Sequence, residues 1–228
     1  MLGLKQYLNR RLTPWETAAV VVIVAALGGL GYATYLFIVA QVFEAHVRAA
    51  VPRLSAGIRQ QRAVIASAIE AYKASFGLYP PDHVVSRQPL VVDPVTNTLL
   101  YELVGAAYNS TNKMLSVGRL EPADAGYVKG FFHIEGFKNS AEHADQVKHF
   151  LPAENLPVKQ LHDDPDVFVL SAAVPYEELD LDIYYSIDGG SWHYVSSAPT
   201  NNPGRFDLWI EVKAGDHKIR IGNWKSAE

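Results

Sequence analysis

An uninterrupted stretch without charge constrains this chain more than any other feature of its sequence. From Thr17 to Phe43, 27 consecutive residues include no Asp, Glu, Lys or Arg. About 20 helical residues cross a bilayer core of roughly 30 Å, and in hydrocarbon a helix satisfies its own backbone amides. The apolar part of a cleaved signal peptide is only about 7–15 residues long. We therefore predict a transmembrane helix over residues 17–43 rather than a signal peptide.

The residues before this stretch indicate its orientation. Lys5, Arg10 and Arg11 precede it, and Glu16 is the first acidic residue of the chain. Basic residues beside a membrane helix favour the cytoplasmic side. Residues 1–16 are therefore interpreted as a basic cytoplasmic leader of a single-pass protein, with the C-terminal domain outside the cytoplasmic (inner) membrane. Arginines that follow the stretch dilute this bias without reversing it.

The helix is predicted to continue over residues 44–76 as an amphipathic helix. Apolar side chains recur there at steps of three, four or seven, which is the spacing of one helical face. The positions on this face are Val47, Val51, Leu54, Ile58, Ile65, Ile69, Tyr72 and Phe76. Gly77 and the segment Tyr79-Pro80-Pro81-Asp82 end the pattern, and Pro52 is expected to kink or interrupt the helix.

Residues 77–228 are predicted to form a globular head of mixed character. The part from 83 to 98 contains two prolines and no helical period, so we expect loop or short extended pieces there. Three short helices are predicted, at residues 98–107, 120–132 and 139–150. Asn139 or Ser140 can cap the third of these helices.

The last third of the chain changes to a strand-forming pattern. Leu181–Ile187 and Trp192–Ser196 flank the turn Asp188-Gly189-Gly190, and Asp-Gly between two such runs is a strong hairpin signal. A second hairpin is predicted from residues 206–213 and 218–223, where apolar and polar side chains alternate. A small antiparallel sheet with one face buried against the long helix would cover both apolar surfaces. The expected fold class is therefore α+β.

Composition and motifs exclude several functions. The net charge of −4 and a pI near 6.1 leave no basic footprint for nucleic acid. The sequence contains no cysteine nucleophile, no G-x-S-x-G or H-E-x-x-H motif, and no Walker or G-x-G-x-x-G loop. We therefore expect no enzymatic activity and no required cofactor.

Calcium is the one cofactor for which the sequence offers candidate ligands. Asp163, Asp164 and Asp166 lie close together in the chain, and Asp188 precedes a glycine pair. Carboxylates are the ligands that calcium prefers, but the spacing of an EF-hand is missing. A solvated acidic loop explains the same residues without a ligand.

The combination of parts resembles a type IV pilin or a pseudopilin of type II secretion. The segment Ala68–Asp82, AIEAYKASFGLYPPD, is similar to the helix end of major pseudopilins, whose pattern is A-L-E-x-Y-K…G-x-Y-P. The stretch Trp192–Lys225 resembles the closing hairpins of a bacterial subgroup, with the pattern W-x-Y-x-S…F-D-L-W…I-G-N-W. The resemblance is looser over residues 83–165. It implies a pilin-like head, in which a long helix packs against a small C-terminal antiparallel sheet.

The resemblance also assigns roles in assembly to the first helix. In pilins, the glutamate equivalent to Glu16 neutralises the N-terminal amine of a neighbouring subunit in the filament. The helix dipole explains Glu16 equally, because a carboxylate is favoured in the first turn. Gly28, Gly29 and Gly31 would let another transmembrane helix approach closely.

Two functions from different classes follow. One is a non-enzymatic pilin-like subunit or accessory component of a type II secretion or type IV pilus-like assembly. Its partners would be other pilin-like subunits, secretion proteins and the lipid bilayer, and it would be a homo-oligomer. The other is a membrane-anchored binding module with a pilin-type head that does not polymerise. The second is favoured by Arg11, which stands where pilin precursors carry a small residue before the cleavage site, and by the unusual Pro14-Trp15.

Overall fold

The structure is a computed structural model in which one long N-terminal helix is followed by short helices and small, mostly antiparallel sheets, an α+β arrangement. The chain divides into two compact units, Met1–Arg48 and Ala49–Glu228. The residues that the structure describes are 14–152, 154, 156–161, 164–173, 187–188, 190–214 and 217–224.

A single helix of 63 residues, α1, spans Pro14–Phe76. Proline suits the first turn, because its fixed φ is helical and its missing N–H would have no partner there. The helix ends at Gly77, which adopts a φ of 77° and donates its N–H to the carbonyl of Lys73 at 2.8 Å. This left-handed cap is one that glycine adopts without strain. The helix continues through Pro52, so the predicted interruption there does not occur.

In the first unit, α1 presents large apolar side chains that nothing in that unit covers. Nine of them are 46–66% exposed: Leu27, Leu30, Tyr32, Tyr35, Leu36, Phe37, Ile38, Val39 and Val42. Within the part of the chain that the structure describes, one helix is long and apolar enough to cross a membrane.

In the second unit, one face of α1 is buried. Leu54, Ile58, Ile65, Ile69 and Tyr72 are at most 7% exposed, which confirms the apolar face that the spacing of these residues predicts. Complete burial of a large apolar side chain contributes about 1.5–3 kcal/mol. This face is therefore a main source of stability for the second unit.

Short strands and helices follow α1. Up to residue 141 they are β1 (His83–Arg87), β2 (Leu90–Asp93), α2 (Leu99–Val104), β3 (Ala106–Asn109), β4 (Met114–Val117), β5 (Ala123–Asp124), α3 (Ala125–Phe131) and β6 (Ser140–Ala141). After a 3-10 turn they are β7 (Val158–Leu161), β8 (Asp164–Leu170), β9 (Ile187–Asp188), β10 (His193–Val195), β11 (Asp207–Ala214) and β12 (His217–Gly222). The described strands form the sheets β1-β2, β5-β4-β3-β6, β7-β8, and one in which β11 lies between β12 and the pair β9 and β10. Among the described strands, β3 and β6 are the one parallel pair.

The helix predicted over 139–150 is wrong. The segment contains the two-residue strand β6 and the 3-10 turn Ala144–Gln146. The side chain of Asn139 does not cap a helix, because its amide donates to the carbonyls of Glu102 and Lys148 and its oxygen accepts the N–H of Lys148. These contacts fix the segment beside α2 in a non-helical conformation.

The other two predicted helices exist but are shorter. α2 ends at Gly105, whose φ of 86° and close approach to the Val147 side chain exclude a side chain at that position. α3 begins only at Ala125, because Asp124 caps it by accepting the N–H of Tyr127 at 2.7 Å. Residues 83–98 contain the extended pieces that the sequence predicts, as the hairpin β1-β2.

The C-terminal sheet has the predicted second hairpin and a different first pairing. β11 and β12 pair from Ala214↔His217 to Trp209↔Gly222, and the alternating residues Phe206, Leu208, Ile210 and Val212 are all buried. The first hairpin was predicted to pair residues on either side of Asp188-Gly189-Gly190. In the structure, β9 and β10 instead pair with two parts of one edge of β11; residues 181–186 lie outside the described residues.

A buried carboxylate ties α1 to the middle of the second unit. Glu102, in α2, is 0% exposed. Its side chain accepts the hydroxyl of Tyr72 of α1 at 2.9 Å, and the backbone N–H groups of Lys138 and Asn139 at 2.9 Å each. Burial raises the pKa of Glu102, and these three donors oppose that rise. Burial, together with the Glu102 carboxylate, also raises the pKa of the Tyr72 hydroxyl.

Other polar contacts join the second half of α1 to the C-terminal strands. Arg62 donates to the carbonyl of Gly222 at the end of β12. Gln61 exchanges two hydrogen bonds with the backbone of Ala173, at 2.7 and 2.9 Å. Arg205 pairs with Glu70 on the surface. The head is therefore attached to α1 along several turns.

We predict that substitutions at the buried carboxylate destabilise the second unit in a graded way. Tyr72→Phe removes one donor to a charged acceptor and is expected to cost about 1.5–3 kcal/mol. Glu102→Ala leaves three donors unsatisfied and is expected to cost more, at least about 3 kcal/mol. Thermal unfolding of the full chain in detergent, followed by tryptophan fluorescence, measures both.

The matched control is Glu121→Ala, because Glu121 is exposed. Its melting temperature is expected to equal that of the original chain. Equal melting temperatures for Glu102→Ala and Glu121→Ala would show that the carboxylate does not hold the unit together.

Candidate functional site

The predicted assembly residues lie on the first half of α1. Glu16 is in its first turn, and its side chain is outside the part of the structure that is described. Gly28, Gly29 and Gly31 are exposed, and a Cβ built at any of them meets open space. Small, uncovered positions on a membrane helix permit close packing of a second helix.

The candidate calcium ligands are not brought together among the described residues. Asp163 lies outside the described residues, and Asp164 and Asp188 are strand residues whose side chains are not described. Asp166 is exposed on β8. In the described part of the chain, no three His, Asp or Glu side chains are grouped as metal ligands. Calcium binding therefore stays a prediction from the sequence.

The segment that ends the pilin-like helix motif forms a junction with β10. The carbonyl of Pro80 accepts the hydroxyls of Tyr194 and Ser196, at 2.9 and 3.0 Å. The carboxylate of Asp82 accepts the N–H groups of Ser196 and Ser197 and the Ser197 hydroxyl, each at 2.8 Å. Asp82 thus binds the chain that leaves β10. Burial of Tyr194 raises the pKa of its hydroxyl, so it is a constant donor.

Tyr79 extends this junction to the surface of α1. Its ring packs edge-on against Phe206, with the ring centres 5.3 Å apart. The ammonium of Lys73 lies 4.1 Å from the centre of the Tyr79 ring, within the range of a cation–π contact. Tyr79 therefore links the end of the helix to the start of the last hairpin.

A second carboxylate organises the loop before β11. Asp207 is 2% exposed. Its two oxygens accept five hydrogen bonds of 2.8–3.1 Å, from the backbone N–H groups of Thr200, Asn201 and Asn202 and from the side-chain amides of Asn201 and Asn202. Five neutral donors around one carboxylate compensate its burial. These five bonds order the loop around Asp207.

Asn223 completes the same network from the end of β12. Its side-chain oxygen accepts the amide of Asn202 at 2.9 Å and the N–H of Leu208 at 3.0 Å, and its own amide donates to the carbonyl of Phe206 at 2.9 Å. At Gly222, an added Cβ would lie 2.8 Å from the ring of Trp224. The F-D-L-W and I-G-N-W segments are thus joined by one hydrogen-bond network.

Sequence reasoning missed these roles of Asp82, Asp207 and Asn223. The sequence contains one indication of these roles: the Asp and Asn residues stand next to turn-forming residues. At such positions, Asp and Asn side chains often bond to nearby backbone groups. The donors, however, come from positions as far apart as Asp82 and Ser197, which no local pattern reveals.

An open apolar groove of about 380 Å³ lies beside α1 in the second unit. Among the described residues, no charged side chain lines the groove. Its lining residues are Gly57, Gln60, Gln61, Val64, Ile65, Leu151, Pro152, Leu156, Pro157, Leu170, Ser171, Ala173 and Trp192. Such a surface accepts apolar groups.

We predict that Asp207→Asn weakens the loop of residues 196–207. An amide nitrogen would face N–H donors where a carboxylate oxygen accepts them now, so we expect a loss of about 1.5–3 kcal/mol. Hydrogen exchange followed by mass spectrometry should show lost protection in this loop. Asp145→Asn, at an exposed position, is the control; unchanged protection in Asp207→Asn would contradict the role of the network.

Apart from the candidate calcium ligands, the residues singled out by the sequence form two groups. Glu16 and the three glycines lie on the first half of α1, and residues of the segments 68–82 and 192–225 make structural ties in the second unit. No protein-family model matches the chain, and neither a curated protein nor a solved structure matches it.

Proposed function

We propose that this chain is a non-enzymatic, pilin-like subunit or accessory component of a type II secretion or type IV pilus-like assembly. It is anchored in the cytoplasmic membrane by one helix, with the N-terminus in the cytoplasm and the head outside. One observation carries the proposal: α1 is a single helix whose first part leaves large apolar side chains uncovered and whose last part is built into a folded head.

The uncovered apolar side chains require a non-aqueous environment. Contact of apolar surface with water costs roughly 25 cal/mol per Å², and soluble monomers rarely expose a continuous patch beyond a few hundred Å². Lipid covers such a helix in a membrane, and neighbouring helices cover it in a filament. A pilin-like subunit uses both environments in turn.

The structural ties in the head support the same proposal. The residues by which the chain resembles pseudopilins include Tyr79 and Pro80 at the helix end, and Asp207 and Asn223 in the last hairpin. Each makes hydrogen bonds or ring contacts that close the head onto α1 or close the last hairpin. The residues of these motifs therefore have structural roles in the head.

In this proposal the partners are other subunits of the same kind, secretion proteins and lipid. Gly28, Gly29 and Gly31 provide the surface for helix contacts, and Glu16 neutralises the N-terminal amine of a neighbour if the leader is removed. The groups brought together in the head are hydrogen-bonded structural carboxylates, which supports a role without catalysis.

A membrane-anchored binding module that does not polymerise is the second candidate. Arg11 and the Pro14-Trp15 pair favour it, because they differ from the cleavage region of pilin precursors. Without cleavage, Glu16 has no free neighbouring amine to neutralise. The uncharged groove beside α1 would then serve a partner protein.

Crosslinking in native membranes separates polymerisation from a lone anchor. The chain has no cysteine, so introduced cysteines react without background. Leu30 and Tyr32 are 66% and 65% exposed, and their two-residue separation places them on nearly opposite sides of the helix. Oxidation of the double variant Leu30→Cys, Tyr32→Cys is expected to give a ladder of multimers.

Each single variant is the matched control, because one cysteine per chain can form only dimers. Monomers alone in the double variant, at native expression level, would refute polymerisation and favour the binding module.

The intact mass of the protein from its native membrane tests the processing step. The filament subunit is expected to lack residues 1–11, so that the mature chain starts at Leu12 and Glu16 is its fifth residue. A mass that includes Met1 would mean that the leader stays and would move the non-polymerising anchor to first place.

A further inference from the structure

Two histidines of the head hold ring nitrogens away from water and without a hydrogen bond among the described residues: His83, whose side chain is buried, and His193, whose side chain is half-buried. His83, at the start of β1, is 7% exposed, and neither of its ring nitrogens has a hydrogen-bond partner among the described residues. Aromatic rings of α3 and the residues after it surround it, with ring centres 6.0 Å away for Phe131, 5.8 Å for Phe132 and 5.4 Å for His133.

His193, in β10, is the second such histidine. Its ring stacks on Trp209 of β11, with centres 4.9 Å apart and planes 19° apart. Its Nδ1 is buried and has no partner among the described residues. Burial therefore opposes protonation of His193, although the face of the stacked indole attracts a cation.

His83 is the first residue of the segment 83–97, which contains the hairpin β1-β2 and the turn after it, and His193 lies in β10 between two residues that bond to this segment. His83 pairs with Asp93 across the hairpin. The turn is held on β10 by the N–H of Tyr194, which donates to the carbonyl of Pro94 at 2.9 Å, and by the Asn97 amide, which donates to the carbonyl of Trp192 at 2.6 Å. Charge at either histidine thus acts on the contacts that hold this segment.

The charged groups around His83 do not compensate its burial. Burial is the largest influence and lowers the pKa of His83. The carboxylates of Asp93 and Asp82 and the backbone of Thr96 oppose this effect, and His133 reinforces it. The Asp82 carboxylate already accepts three hydrogen bonds from Ser196 and Ser197.

The surroundings of His193 act in the same direction. Burial lowers its pKa most and Arg220 lowers it further, whereas Glu211, the backbone of Ser191 and Asp93 raise it. Arg220 and Glu211 are paired with each other on the surface, and their effects on the pKa of His193 are opposite in sign. Asp93 is therefore the one carboxylate that acts on both histidines, and its Oδ1 accepts the N–H of Val95 at 3.0 Å.

We propose that His83 and His193 form an acid-sensitive latch, which holds residues 83–97 on the head while both rings are neutral and releases them when the rings take up protons. A histidine whose folded-state pKa lies below its unfolded value of about 6.5 contributes stability above that value. This stability is lost as the pH falls from about 6.5 toward the lower folded-state pKa. The latch belongs to the head and does not depend on polymerisation.

Hydrogen exchange of the full chain in detergent at pH 7.5, 6.5, 5.8 and 5.0 tests the latch, after correction for the intrinsic exchange rate at each pH. Below about pH 6.5, the opening constant of residues 83–97 is expected to rise about tenfold per pH unit if one histidine is protonated on opening. It should rise about a hundredfold if both are. The segment 206–213 is expected to keep its protection.

The variants His83→Phe and His193→Phe remove the titrating groups and leave aromatic rings in their place. Each is expected to reduce the pH dependence, and the double variant should abolish it while 83–97 stays protected at pH 7.5. His143→Phe, at an exposed histidine, is the matched control and should keep the full dependence.

Exchange at the imidazole C2 position, followed by mass spectrometry of the unsubstituted chain, reads each histidine directly and does not rely on variants that fold. Midpoints of His83 and His193 below that of His143 support the latch. Unchanged protection of 83–97 down to pH 5.0, or midpoints equal to that of His143, would overturn it.

Discussion

The buried carboxylate of Glu102 is the interaction on which the rest of the head depends. It is fully removed from water, and its donors come from α1 and from the segment after α3. A charge in that position is tolerated only when donors surround it, so the three segments must meet for the head to form. The apolar face of α1 is a main source of the stability of the head. Glu102 determines which segments pack together beside that face.

Asp82 and Asp207 repeat this design. Each is a buried acid that accepts N–H or O–H groups from a nearby loop, three at Asp82 and five at Asp207. Loops with few regular hydrogen bonds are ordered in this way by a single acceptor. The head consists of several small sheets, and these carboxylates connect its loops to them. Polar contacts between loops and secondary-structure elements therefore determine how the parts of the head are arranged.

The sequence predicted those features that depend on spacing within one element. The face of α1 that contains Ile58 and Ile65, the end of α1 at Gly77, and the alternation from Phe206 to Val212 follow from helical or strand periods. The helix predicted at 139–150 failed because Asn139 bonds to Glu102 and Lys148, a choice that depends on distant parts of the chain. β9 and β10 do not pair with each other, since β11 offers one edge to both; residues 181–186 of the predicted hairpin lie outside the described residues. The roles of Asp82 and Asp207 depend on folded loops that no local pattern describes.

The bond from Arg62 to Gly222 also sets an order in time. These residues are 160 positions apart in the chain. At a synthesis rate of about 5–20 residues per second, Gly222 follows Arg62 by roughly 8–32 s. During that interval the apolar face of α1 lacks the last strands that cover it in the folded head, and contacts between such distant residues form slowly. A face that stays exposed in this way is prone to aggregate before the head can close.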